Sequence, residues 1–408
     1  MNAPSPISLA IIGAGPVGLE AAARGLDQGF DVHVFERGEI GSHPRAWGHV
    51  RMFTPWRMNV GPASRARLEA TGWTMPPGDE FPTGRELVER CLEPLAALPE
   101  LKPRLHTHTQ VVHVSRAGLL KGDSLPDGKR RESPFRFLVR DGGGRESFLH
   151  AYAMIDASGV YGQPNWAGDG GIPARNELYL APQMSYHVDD VLDLRRERYA
   201  GKRVLVIGAG ASAATVVTDL AELAKQAAGT AVAWATRKNV DSLYAPQDDE
   251  KELPGLKVLL DRARTLLRGA DPNVIHVGGV RAEGFEFNSA THRYRVALTD
   301  GTTTKVEEVD HVIVCTGFGP DDSLYRELQV HECYSTRAPM KLAAAISGST
   351  GCLGSAPVGA DVLANPEPDF YILGHKSYGR TPNFLMETGF QQVAEALNAF
   401  AANQPATR

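Results

Sequence analysis

An α/β fold built from two parallel-sheet units, one inserted into the other, is predicted by three features of this 408-residue chain. First, a short apolar strand runs into a glycine-rich turn and then an Ala-rich helical stretch twice. The first copy is Ile7–Ile12 with Gly13-Ala-Gly15-Pro-Val-Gly18, and the second is Arg203–Ile207 with Gly208-Ala-Gly210-Ala-Ser-Ala213. Second, each copy leads to an alternating strand and then to short strands around Gly- and charge-rich turns. Third, each series closes on a strand ending in small residues, Ala153-Met-Ile-Asp156-Ala-Ser-Gly159 and His311-Val-Ile-Val-Cys315-Thr-Gly317. The repeat therefore covers whole domains. It predicts two Rossmann-like dinucleotide-binding domains with β-meanders, an outer one over residues 1–160 and 317–408 and an inserted one over 161–316.

The first and third glycines of the outer turn, Gly13 and Gly18, are expected to allow a tight strand-to-helix turn and close helix packing. Gly15 between them lets backbone approach a pyrophosphate. Gly208, Gly210 and Ala213 take the same places in the inserted domain, with Ser212 beside them. In both, phosphate would rest on exposed N–H groups at the positive end of a helix. One such fingerprint alone is a weak signal; two in one chain predict two bound dinucleotides and electron transfer between them.

The residue ending the next strand reads the ribose 2′ position. Asp31-Val-His-Val-Phe-Glu36 ends in an acid about 20 residues past the loop, placed to bond both ribose hydroxyls and to repel a 2′-phosphate. That suits the ADP half of FAD, or NAD. Ala231-Val-Ala-Trp-Ala-Thr236 ends instead in Arg237 and Lys238, which suits the 2′-phosphate of NADPH, or else is a solvated basic pair at a strand end.

Meander strands are expected at Gln110–Ser115 and Phe135–Arg140 in the outer domain, and at Val274–Val280, Gly284–Asn288 and Tyr294–Leu298 in the inserted one. Ser64–Ala70 and Gly84–Leu98 read as helices. Phe370-Tyr-Ile-Leu-Gly374 and a helix over Thr388–Ala401 complete the outer domain, and Gly348–Asn365 reads as loop. The stretch from Glu39 to Gly61 has neither helical nor strand periodicity, yet carries Trp47, Arg51, Phe53, Trp56, Arg57 and Asn59. A long loop of that composition reads as functional.

A hydrophobic fraction of 42%, a charged fraction of 22% and a net charge of −5 without a basic run describe a soluble globular chain and argue against nucleic acid. The first apolar stretch is too short and wrongly flanked for a signal peptide or membrane span, so a cytoplasmic protein is expected. Cys91, Cys315, Cys333 and Cys352 form no Cys-x-x-Cys pair, which tells against a dithiol redox centre, and no metal site is expected.

Taken together, these residues resemble the two-dinucleotide-binding-domain flavoproteins of the pyridine nucleotide-disulfide oxidoreductase superfamily, and within them the flavin-containing monooxygenase-like (class B) branch. The resemblance runs over nearly the whole chain: GAGPVG with Glu36, Phe81-Pro-Thr-Gly-Arg-Glu-Leu87, Asp156-Ala-Ser-Gly-Val-Tyr-Gly-Gln-Pro164, GAGASA and Cys315-Thr-Gly-Phe318. It implies FAD at Gly13, Gly15, Gly18 and Glu36, with Arg37, Val111, Gly159 and Gly374 contributing. It implies NADPH at Gly208, Gly210, Ser212, Arg237 and Lys238, with Gly317 nearby, and places Trp47 near the isoalloxazine. Two departures stand out. Arg45-Ala46 replaces the family's Gly-Gly before the tryptophan, and of its Phe-x-Gly-x-x-x-His signature only His187 is present.

The activity implied is oxygen transfer from a flavin C4a-hydroperoxide to nitrogen, sulfur or a carbonyl-adjacent carbon of a small molecule. The partners are that substrate and O₂, with a homodimer left open. Asn59, Thr54 and Arg51 are the candidate donors beside the flavin, and each is equally readable as a structural loop residue. Arg51, Arg57 and Arg380 could instead grip an anionic substrate. His375 and Lys376 read as a solvated turn, and His187 as a hinge residue. Two alternatives remain: an NADPH-dependent reductase or dehydrogenase without oxygen transfer, and a non-catalytic redox sensor or subunit.

Overall fold

In the computed structural model, which describes residues 6–123, 128–239, 253–347 and 359–402, the chain separates into two compact units. One takes the residues up to Gln163 and those from Gly319 onward; the other is Pro164–Phe318.

The outer unit is organised by a parallel sheet in the order β15-β7-β1-β2-β3, formed by Ser8–Ile12 (β1), Asp31–Phe35 (β2), Leu105–His106 (β3), Ala153–Asp156 (β7) and Phe370–Ile372 (β15). Its strands are apolar on both faces because both faces are covered, and period-2 alternation divides them cleanly. Leu9, Ile11, Val32, Val34 and Ile155 enter the core that includes the Pro16–Asp27 and Met386–Ala402 helices. Ala10, Ile12, Phe35, Met154, Phe370 and Ile372 meet the antiparallel meander of Gln110–Arg116 (β4), Phe135–Arg140 (β5) and Glu146–Ala151 (β6).

The inserted unit repeats this plan. Its parallel sheet runs β10-β9-β8-β14, from Arg203–Ile207 (β8), Ala231–Ala235 (β9), Val274–Val277 (β10) and His311–Val314 (β14). Leu205, Ile207, Ala233, Ala235, Val312 and Val314 face a meander of Arg281–Asn288 (β11), Arg293–Thr299 (β12) and Thr304–Val309 (β13). Both meanders carry a bulge near the start of their first strand, between Val111 and His113 and between Ala282 and Gly284. Where the chain enters and leaves this unit, Asn165 N–H donates to the Gly317 carbonyl at 2.9 Å and the Thr316 hydroxyl to the Asn165 carbonyl at 2.6 Å.

Several elements differ from the sequence expectation. Val274–Val277 belongs to the parallel sheet, in register with Val232–Ala235, because it caps the Pro254–Leu267 crossover helix instead of opening the meander. The third meander strands, β6 and β13, escaped notice because they are edge strands exposed on both faces and so lack an apolar period. The 39–61 stretch contains two short helices, Ser42–Ala46 and Trp56–Asn59. The helix from Gly84 passes through a π turn at Val88–Leu92 into Glu93–Ala96. The turn has an identifiable cause: Pro94 has no N–H for the Arg90 carbonyl, and the Trp73 indole N–H fills that place at 2.8 Å. Within Gly348–Asn365, Ala360–Leu363 is helical; residues 348–358, with Cys352, lie outside the described residues.

Three buried carboxylates hold the layers together. Glu20 accepts from the Ala63 and Ser64 N–H groups at 2.9 and 2.8 Å, capping the Pro62–Glu69 helix from another element, and Glu177 accepts from the Ala167 and Ala174 N–H groups of the preceding loop at 2.7 Å each. Glu367 binds Arg116 Nε at 2.8 Å, Arg130 Nη2 at 2.7 Å and Gln329 N–H at 2.8 Å, all out of solvent. Desolvation opposes its ionisation, but the Arg130 and Gln329 hydrogen bonds and Arg116 outweigh it and hold its carboxyl below the usual range. Glu367→Ala should therefore cost about 3–5 kcal/mol by leaving two arginines buried and unpaired, read as a lowered urea midpoint, whereas an exposed-pair variant such as Arg65→Ala should cost no more than about 1 kcal/mol.

Candidate functional sites at the strand ends

Ligands of parallel α/β sheets lie beyond the carboxyl ends of the strands, and each unit builds a turn there that suits a phosphate. In the outer unit Gly13 sits at φ 100°, and a Cβ on it would lie 2.7 Å from the Ala157 carbonyl oxygen. Gly15 caps the Pro16–Asp27 helix with extended backbone (φ −84°, ψ −174°), and a Cβ there would meet nothing within 4 Å. In the inserted unit Gly208 (φ 141°) approaches the Cys315 carbonyl so closely that a Cβ would stand 2.2 Å from its oxygen. Gly210 caps the Ala211–Gln226 helix at φ −86°, ψ −179°, and among the described residues nothing lies within 4 Å of where its Cβ would be. The turns are the same object twice: one glycine forced by a neighbouring strand, one left open at a helix N-terminus where an anion is stabilised. The third position differs. A Cβ on Gly18 would fall 1.9 Å from the Gly13 carbonyl oxygen, whereas the inner turn accommodates a fully buried methyl at Ala213, next to the partly buried Ser212.

The charges beside the two turns are opposite. Glu36 accepts from Ala14 N–H at 2.9 Å through one oxygen and from Gly38 N–H at 2.8 Å through the other, which holds its carboxylate against the outer glycine turn. Arg37 beside it is exposed and lies near Gly162. At the end of β9, Arg237 and Lys238 are exposed cations. Three residues not singled out from sequence, Thr236, His276 and Asn239, brace that turn. The Thr236 hydroxyl donates to the Lys238 carbonyl at 2.7 Å and accepts from the His276 ring at 2.7 Å. The Asn239 side chain lies against Gly278 and Gly279, a Cβ on the latter falling 2.8 Å from its oxygen. Burial lowers the pKa of His276.

The remaining expected cofactor residues fall as follows. Gly159 and Gly374, at the ends of β7 and β15, share a φ of 71°, and Gly317 ends the corresponding segment of the inserted unit at φ 88°. Val111 points into the core between sheet and meander, so only its backbone could meet a ligand. Trp47 is partly buried against Gly84, where a Cβ would lie 2.5 Å from the indole. Gly84 opens a helix fixed by a capping box, with Glu86 N–H to Thr83 Oγ1 at 3.1 Å and Thr83 N–H to Glu86 Oε2 at 2.7 Å.

The candidate donors Asn59, Thr54 and Arg51 all have protein partners. Asn59 is buried and donates both amide protons to the Thr54 and Pro55 carbonyls at 2.8 and 2.9 Å, while its oxygen accepts the Thr54 hydroxyl at 2.8 Å. Neither side chain has a proton left for a ligand; together they brace the loop. Arg51 donates to the Phe81 carbonyl and Arg57 pairs with Asp79 at 3.2 Å, so of the three arginines read for an anionic substrate, Arg380 is exposed without such a bond among the described residues. His187 lies against Phe318 within the inserted unit, the rings tilted 30° to each other.

His375 and Lys376 are not a solvated turn. Lys376 is 1% exposed and its ammonium meets Asp156 Oδ2 at 2.6 Å. His375 stacks on Phe384 with rings 5.5 Å apart, and burial, with His43 nearby, holds its imidazole down at about 4. Burial pushes the Cys91 and Cys315 thiols up to about 12, while hydrogen bonds from Thr336 and Ser335 lower that of the partly exposed Cys333. Among the described residues, no cluster of His, Cys, Asp or Glu could hold a metal ion, and no helix is long and apolar enough to cross a membrane.

Comparison with known proteins places these strand-end turns in context. Residues 167–251 match the family model of L-lysine 6-monooxygenase/L-ornithine 5-monooxygenase. The chain is similar in structure to the bacillithiol disulfide reductase Bdr of Bacillus cereus (TM-score 0.68, 18% identity, 98% of this chain and 100% of that one). It is also similar to the FAD-bound cadaverine monooxygenase DfoA of Erwinia amylovora (0.63, 13%, 99% and 96%). The ornithine N-hydroxylase of Kutzneria sp. 744 is a third such structure (0.62, 15%, 97% and 99%). No curated protein sequence is matched. The fold is that of the two-dinucleotide-binding-domain oxidoreductases.

Two predictions follow from the turns and the histidine. Gly15→Val and Gly210→Val place their side chains in open space, so the melting temperature of the nucleotide-free protein should hold within about 2 °C while nucleotide affinity falls at least about tenfold. Gly18→Val should instead lower stability itself by several kcal/mol, through the clash with Gly13. Because the folded His375 pKa lies below its unfolded value of about 6.5, the folded state binds fewer protons in that range. Stability should fall as pH drops from about 6.5 toward 4, and a His375→Phe variant should show a shallower fall in thermal-shift titrations.

Proposed function

We propose that the chain is an FAD- and NADPH-dependent oxidoreductase that hydroxylates an amine nitrogen of a small molecule, with O₂ as co-substrate. The observation that carries this reading is the pair of equivalent phosphate turns with opposite ribose-reading charge: Glu36 beside the outer one, Arg237 and Lys238 beside the inner one. Glu36 suits the free 2′-hydroxyl of FAD, and the two cations suit the 2′-phosphate of NADPH. The open space at Gly15 and Gly210 is what each pyrophosphate needs.

Bound flavin supplies the redox exchange with nicotinamide and the activation of O₂. The protein's part is to bind, orient and keep dry. The Gly13–Gly18 turn and Glu36 would hold the adenosine and pyrophosphate end of FAD. The Ser158–Gly159 and Gly374–Lys376 segments, at neighbouring strand ends, lie where its other half would run. The brace between Asn59 and Thr54 leaves neither of those two side chains loose to draw water in. The preference for nitrogen is supported by the lysine/ornithine monooxygenase match over 167–251.

Likeness to a bacillithiol disulfide reductase supports a second reading, an NADPH-dependent reductase that adds no oxygen. The high-pKa, buried Cys91 and Cys315 offer no dithiol for it. A screen of flavin-loaded protein with diamines, amino acids, sulfides and disulfides separates the two. The proposal expects an amine to accelerate NADPH oxidation and to gain the mass of one oxygen atom. NADPH consumption coupled only to H₂O₂ or to disulfide reduction would overturn it. Arg237→Ala should raise the KM for NADPH about 10- to 100-fold, the worth of one charged hydrogen bond, and leave that for NADH nearly unchanged.

A further inference from the structure

A buried charge pair lies at the outer sheet's edge where the repeat places none. Strand register aligns the two units residue by residue: Ile12, before Gly13, pairs with Asp156, and Ile207, before Gly208, pairs with Val314. Asp156 and Val314 therefore hold equivalent positions, on the meander side of their sheets, and Val314 shows that an apolar side chain serves the fold there. Asp156 instead is fully buried and fully bonded. One carboxylate oxygen takes Ser158 N–H at 3.0 Å and the Ser158 hydroxyl at 2.6 Å; the other takes the Lys376 ammonium at 2.6 Å. Lys376 also reaches Ser158 Oγ at 3.1 Å, and lies 5.1 Å from the centre of the Tyr325 ring. Removing two charges from water is costly, and a well-packed apolar pair of similar volume is usually neutral or stabilising by comparison, so stability does not account for these residues.

Their location does. Glu36 and the glycine turn occupy the ends of β2 and β1, so the other half of an extended dinucleotide must cross the ends of β7 and β15, the next strands in the sheet. Those two ends are what the pair joins: Asp156 fixes Ser158, next to Gly159, and Lys376 stands two residues past Gly374, whose N–H is held by Gln392 at 2.8 Å. We propose that Lys376 and Asp156 are positioning residues for the flavin half of FAD, locking the Ala157–Gly159 and Gly374–Ser377 segments at one fixed spacing beneath it. The proposal rests on the reading of the outer unit as the FAD site.

The test compares the wild type with Asp156→Val/Lys376→Met, which restores the apolar pattern of Val314, and with Lys376→Met alone. Three quantities are measured: the melting temperature of flavin-free protein, the FAD dissociation constant, and the visible absorption spectrum and reduction potential of bound flavin. The double variant should melt at or above the wild-type temperature, yet bind FAD at least tenfold more weakly, with a shifted flavin spectrum and potential. Lys376→Met alone should melt lower, since it strands Asp156. A double variant that binds FAD with wild-type affinity, spectrum and potential overturns the proposal and makes the pair ordinary core. Should that variant not fold, Asp156→Asn/Lys376→Gln carries the same comparison at nearly constant volume, with the same two outcomes. A wild-type chain that binds no FAD overturns the site reading itself, and this proposal with it.

Discussion

The constraint on which both turns depend is the approach of a strand-end glycine to the next strand's carbonyl. Ile12 and Ala157 are joined by a backbone hydrogen bond of 2.9 Å, and Ile207 and Cys315 by one of 2.7 Å. That bond brings the carbonyl to where a side chain at Gly13 or Gly208 would begin. The helix that follows starts at once, with a glycine at its N-cap in both units. Strand spacing, helix direction and anion-binding geometry follow from one steric exclusion repeated in two units.

Charge is handled differently at the rim and inside. Exposed pairs such as Arg65 with Glu69 decorate the surface and contribute little. The interior instead uses carboxylates as connectors: Glu20 and Glu177 cap backbone N–H groups of other segments, Glu367 collects two arginines, and Asp156 collects a lysine and a serine. Each is saturated with donors, which is the condition under which a buried charge is tolerable.

The fold class was legible because its signals are local and doubled. Glycine spacing, strand alternation and the small-residue strand ends at Gly159 and Gly317 are each readable within a few residues of chain. The charges that distinguish the two turns, Glu36 against Arg237 and Lys238, were legible for the same reason. The other misreadings share a cause in tertiary context. The bonds of Asn59 to the Thr54 and Pro55 carbonyls likewise could not be read from the residue pattern. Lys376 resembles a surface residue because its partner, Asp156, is distant in sequence, as Glu367 is from Arg116. Val274–Val280 reads as meander because a short apolar run carries no mark of parallel or antiparallel pairing, and its first four residues pair in parallel. A signal that could have exposed Asp156 was present: an acid in a strand position where the repeat has Val314.

The Glu367 cluster bears on how the chain matures during synthesis. Arg116 and Glu367 are separated by 251 positions, with the entire inserted unit between them. While the ribosome is still making that insert, the outer sheet lacks β15 and both buried arginines lack their counter-ion. The inserted unit, whose own strands are contiguous in sequence, can complete itself first, whereas the outer one stays open until its last segment emerges. Nascent chains stalled before Glu367 would thus hold a finished inner body flanked by an unsealed outer half, the form most in need of chaperone protection.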